Sequence, residues 1–134
     1  MKLNCSDPNP PVQVFIYPGK EDGKTDPFLM LRPANRAALR KIREQTHTKK
    51  FKVVNGIVHE YFDVDDDRYE LELWKYCMPG WGNLTDEHGN KIEYSPDKAI
   101  FLLSNIPFFQ GVVNEKLTEV QQIIEDRAKA KEKN

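Results

Sequence analysis

Phe51-Lys-Val-Val54-Asn55-Gly56-Ile57-Val-His-Glu-Tyr-Phe62 is the stretch that decides the fold class. Two runs rich in β-branched and aromatic residues flank Asn-Gly, a dipeptide that tolerates positive φ at both centres of a type I′ turn. The stretch therefore predicts a β-hairpin. Two strands alone are marginal in water, so this hairpin needs further strands, a helix or a partner. Towards the N-terminus, Val12-Gln-Val-Phe-Ile-Tyr17 and Phe28-Leu-Met-Leu31 read as two more strands. They are joined through Pro18–Pro27, a loop dense in proline, glycine and aspartate. The 51–62 hairpin is then the candidate for the third and fourth strands of one small antiparallel sheet.

Between these hairpins, Pro33 suits the first turn of a helix continuing through Ala34–Gln45. Ala38, Leu39 and Ile42 form its narrow apolar stripe, and Arg36, Arg40 and Arg43 share the opposite side. Thr46-His-Thr48 ends it. Beyond the hairpin the periodicity turns helical. Asp65 and Asp66 cap and fill a first turn, Tyr69, Leu73 and Tyr76 recur at helical spacing, and Pro79-Gly80 stops the helix near Met78. A glycine-punctuated connection from Trp81 to Tyr94 follows, with a tight turn at His88-Gly89-Asn90. Ser95-Pro96 opens a short helix by hydroxyl capping, burying Ala99, Ile100, Leu102 and Leu103.

The last helix is expected from about Pro107 to the high 120s. Its stripe is Phe109, Val113, Leu117, Val120 and Ile124, widened by Phe108, Val112 and Ile123. Core packing is the first use of that stripe, and an oligomer seam the second. The expectation is thus an α+β fold: a small N-terminal antiparallel sheet with one helix, followed by a predominantly helical subdomain. Residues 1–134 form a single domain, with flexible termini around 1–11 and 128–134.

Several function classes are disfavoured. No apolar run is long enough for a membrane span, and the polar, proline-containing N-terminus lacks the apolar block of a signal peptide. Cys5 and Cys77 are too few to staple a secreted domain of this length, which points to reduced thiols and a cytoplasmic setting. His47, His59 and His88 lack metal-ligand spacing. The alternating Asp63, Asp65 and Asp67 invite a calcium-loop reading, but Arg68 stands at the position needing glycine and Trp74 at the position needing glutamate. No phosphate-binding glycine loop, nucleophile elbow or Cys-x-x-Cys occurs. The expectation is a protein that is not an enzyme and has neither metal nor cofactor.

The formal net charge of -1 conceals a division: residues 1–62 carry eleven Lys/Arg against six Asp/Glu, and residues 63–134 carry nine against fifteen. A nucleic-acid surface on Arg36, Arg40, Lys41 and Arg43 is the alternative reading, disfavoured by a pI of about 6.3. The junction Trp74-Lys-Tyr-Cys-Met-Pro-Gly-Trp81 packs aromatic and methionine side chains around a forced turn. Such residues plug a helix end or grip an apolar partner.

The run Leu73-Trp-Lys-Tyr-Cys-Met-Pro-Gly-Trp-Gly-Asn-Leu-Thr-Asp-Glu-His-Gly-Asn-Lys-Ile-Glu-Tyr-Ser-Pro-Asp-Lys-Ala-Ile-Phe-Leu-Leu103 resembles the central region of small tail assembly chaperones of long-tailed bacteriophages and prophages. Trp81, Asp86, Gly89, Ile92, Tyr94, Ser95, Ala99, Leu102 and Leu103 carry the resemblance, which extends from Asp65 to the last helix; Pro79 and His88 fall outside the pattern. It implies a helper in the bacterial host cytoplasm that binds the helical tape measure protein, keeps it soluble and helps recruit tail tube protein. With such a partner, the basic face of the first helix, the aromatic junction and the stripe of the last helix supply the candidate partner-binding residues Arg36, Arg40, Arg43, Trp74, Trp81, Phe109, Val113 and Leu117, and the stripe also allows a homo-oligomer.

Overall fold

The computed structural model describes residues 1–3 and 5–132. Its elements follow in the order β1 (Val12–Phe15), β2 (Phe28–Leu31), α1 (Arg36–Thr46), β3 (His47–Val54), β4 (Ile57–Val64), α2 (Asp66–Cys77), β5 (Gly80–Gly82), α3 (Pro96–Asn105) and α4 (Pro107–Glu132). The fold is α+β, with an N-terminal antiparallel sheet, four helices and a second small sheet.

The expected single sheet is corrected. Among the described residues, β1, β2 and β5 form one antiparallel sheet in that order, and β3 pairs only with β4 in another. The second edge of β2 is taken by Gly80–Gly82, with Leu29 opposite Trp81 and Phe28 opposite Gly82. A side chain at Gly82 would run into the Phe28 ring, so this close crossing requires glycine. β5 gives little sequence signal, because Gly-Trp-Gly has neither alternation nor β-branching. It is a strand through what Trp81 packs against.

The helix expected from Pro33 begins three residues later. Asn35 caps α1 by accepting from the Ala38 amide at 2.8 Å, leaving Pro33 in the approach. Its end is as expected: Thr46 is buried and donates its hydroxyl to the Ile42 carbonyl at 2.8 Å, and His47 already lies in β3. Asp65 caps α2 and Ser95 caps α3, each accepting from the amide three residues on. Met78 closes α2.

One core joins the sheet to the helices. Val14, Leu29 and Leu31 from the sheet meet Met78, Ala99, Leu102 and Leu103, and Phe109, Val113 and Val120 complete the cluster from α4. On α4 the buried line is Phe109, Val113, Lys116 and Val120; Leu117 and Ile124 lie half-buried beside it. Lys116 was not part of the expected stripe. Its stem lies in the interior, and its Nζ reaches Glu119 Oε1 at 3.2 Å, so the charge emerges at the rim. Phe108, expected to widen the stripe, is 74% exposed. The helix runs on to Glu132 through the segment expected to fray, and Lys133 and Asn134 lie outside the described residues.

No helix among the described residues is long and apolar enough to cross a membrane.

Candidate partner-binding surfaces

Three regions hold the side chains that could meet a partner. The first is the β3–β4 hairpin, a β-arm inserted between α1 and α2. Asn55 and Gly56 take φ of 53° and 77°, the left-handed pair a type I′ turn demands. The Asp65 amide donates to the Thr46 carbonyl at 3.1 Å and closes the arm at its base. There the His47 ring lies edge-on to Tyr69 of α2, with centroids 5.9 Å apart. Above this base the arm touches little, and every residue after His47 in both strands is exposed.

The pairing of Val53 with Val58, Phe51 with Glu60, Lys49 with Phe62 and His47 with Val64 sorts the side chains into two faces. Phe51, Val53, Val58, Phe62 and Val64 share one face, where Lys49 Nζ meets Glu60 Oε1 at 2.8 Å. The other face is mostly polar and carries Lys50, which donates to Asp63 Oδ2 at 2.7 Å. That hydrogen bond to the carboxylate raises the lysine pKa above its ordinary value.

The second region is the basic face of α1. Arg36, Arg40 and Arg43 are all exposed and form no ion pair among the described residues. Arg32, by contrast, is structural. Its Nε donates to the Tyr76 carbonyl at 2.8 Å and its guanidinium stacks 3.9 Å from the Tyr76 ring centroid, tying β2 to the end of α2.

The third region is the corner between α3 and α4. Phe101, Ile106 and Phe108 are exposed there at 54%, 40% and 74%. Beside it lies a groove of about 430 Å³, lined by Ile16, Tyr17, Pro27, Leu84, Phe108 and Val112 among others. Phe101 was not among the expected site residues, and Phe108 was expected to be core. The signal available was that Phe109 stands four residues before Val113 on the buried line, whereas Phe108 falls beside it.

Five of the expected partner-binding residues belong to the interior or its margin. Trp81 is half-buried. Its Nε1 donates to the Ile92 carbonyl at 2.8 Å, and its ring stands perpendicular to those of Tyr94 and Phe109 at 4.9 and 6.0 Å. Trp74 packs against the same cluster, while Phe109 and Val113 are 9% and 0% exposed within it. A partner could reach Val113 only by opening the core, whereas the edge of Phe109 also lines the groove beside Phe108. Leu117 is half-buried beside them. The turn after Trp81 is held by Asp86, whose Oδ1 accepts from the amides of His88 and Asn90, both at 2.9 Å.

Among the described residues, no group of three or more His, Cys, Asp or Glu side chains converges in a way that could hold a metal ion. Cys5 is exposed and Cys77 buried, and they are not bonded to each other; burial pushes the Cys77 thiol above its ordinary pKa. Comparison with protein-family models, with curated proteins and with solved structures finds no match to this chain.

Proposed function

We propose that this protein is a non-enzymatic assembly chaperone that holds amphipathic helical segments of a tape measure protein in the bacterial cytoplasm, with tail tube protein as a second partner. The observation that carries the reading is the apolar corner. Phe108 projects into solvent at 74% exposure beside a groove of about 430 Å³. A knob next to a groove suits the apolar stripe of a bound helix, read as anchors at i, i+3 and i+4. The resemblance of Leu73–Leu103 to tail assembly chaperones supports the identity of the client. The exposed Arg36, Arg40 and Arg43 supply a positive face that guides acidic flanks of that helix and adds little affinity. A chaperone must later release its client, so modest contacts suit it, with micromolar binding of about -8 kcal/mol for any one segment.

Co-expression with fragments of a tape measure protein tests the reading. The unmodified chain should keep a fragment soluble, and Phe108→Glu should weaken binding at least about tenfold without moving the thermal transition. Arg36→Glu/Arg40→Glu should weaken it less, and the deficit should shrink as salt is added. Failure of the unmodified chain to bind or solubilise any fragment would count against the assignment. Salt-dependent binding of duplex DNA through the same arginines, with no client binding, would favour the alternative of a small regulatory or nucleic-acid-binding protein.

A further inference from the structure

We infer that the apolar face of the β3–β4 arm is the docking surface for a second copy of this chain, packed face to face across a two-fold axis. The arm is the least self-sufficient part of the molecule. Two strands without cover are marginal in water, and among the described residues nothing covers this face beyond the contact at His47. Each strand is eight residues long, about 27 Å, so the arm reaches well past its base.

The pattern on the face is complementary to itself. Phe51 and Phe62 lie on neighbouring strand pairs near mid-length, Val53 and Val58 face each other towards the tip, and Val64 lies opposite His47 at the base. Two arms laid antiparallel bring the four phenylalanines together at the axis. The valines of each tip then fall over the base of the other arm. Such an isologous contact needs one patch that serves both sides.

Charge agrees with this occupant. The charges on this face are Lys49 and Glu60, already paired at 2.8 Å, so two such faces meet without net repulsion. A strongly acidic or basic partner would find no complement there.

The area is sufficient as well. Phe51, Val53, Val58, Phe62 and Val64 are exposed at 61%, 69%, 63%, 61% and 38%. With aromatic side chains at about 200 Å² each, the five leave roughly 500 Å² open per copy. Two copies would withdraw about 1,000 Å² from water, the lower bound for a specific interface.

Sedimentation velocity of the full chain from about 1 to 100 μM tests this without any client present. The unmodified chain should pass from monomer to dimer within that range. Phe51→Thr/Phe62→Thr, which keeps strand preference while removing both rings, should weaken association at least about 100-fold. Tyr61→Thr alters the opposite face and should leave association unchanged. Amide hydrogen exchange in residues 48–63 should slow as concentration rises, a readout that needs no substitution. A chain that stays monomeric throughout, association untouched by Phe51→Thr/Phe62→Thr, or arm exchange independent of concentration would overturn the inference. Because the client test reads Phe108 and this one reads the arm, either can fail alone.

Discussion

In the body, Leu29, Leu31, Met78, Val113 and Val120 are sealed from water, whereas the arm exposes Phe51, Val53, Val58 and Phe62 at 61% or more. Both sets of side chains are ones a core would use. The difference lies in what the chain can bring against them. β2 receives neighbours on both edges and α4 across its face, while among the described residues β3 and β4 pair only with each other and touch the helices at their base. Apolar content thus states a demand for burial, and topology decides whether the chain meets that demand by itself. Stability should accordingly reside in the body and association in the arm.

Substitutions can break or sharpen that contrast. The largest effect is expected for Trp81→Ala, which removes the ring between Tyr94 and Phe109 together with the bond to Ile92. It should cost about 3 kcal/mol in urea unfolding. At dilution, Phe62→Ala should stay within about 0.5 kcal/mol, because its ring is already wet. Equal costs at the two positions would erase the division between body and arm.

Gly82→Ala should come next, at about 2 kcal/mol, since the Phe28 ring must move aside. Tyr94→Phe leaves the buried Met78 carbonyl without the hydroxyl that donates to it at 2.7 Å, and should cost about 1 kcal/mol near neutral pH. Burial raises the Tyr94 pKa, so the folded state favours the protonated phenol. That contribution is present below the ordinary tyrosine value of about 10 and is lost as pH rises through the higher folded value. Stability measured against pH should therefore fall less steeply above about 10 in Tyr94→Phe than in the parent. Lys116→Met should shift stability by no more than about 1 kcal/mol, and towards greater stability. The interior keeps the stem's packing and loses only a rim ion pair.

Local signals in the sequence carried far. The Asn55-Gly56 turn, the caps at Asp65 and Ser95 and the stop at Met78 are each encoded within a few residues, and each stands where the sequence predicts. What was not legible is set by distance in the chain. Nothing near Gly80 announces that it will pair with Met30, fifty positions earlier, and without that pairing the hairpin at 51–62 looked like the missing strands. Trp81 and Phe109 were readable as large apolar residues. Whether they plug a core or grip a partner depends on Ile92 and Tyr94 arriving beside Trp81. The arginines of α1 were readable as an exposed face because helical spacing alone puts them there.

The hydrogen bond between the Asp65 amide and the Thr46 carbonyl makes the arm an interchangeable cassette. The chain leaves and re-enters the body at nearly one point, so the helices α1 and α2 sense the closed base and not what lies beyond it. Side chains alternate along each strand, so removing two residues from each strand shortens the arm and keeps every remaining side chain on its face. Removing one from each would keep the pairing and turn the tip over. Reach can thus be reset in steps of about 7 Å without redesigning anything below the base.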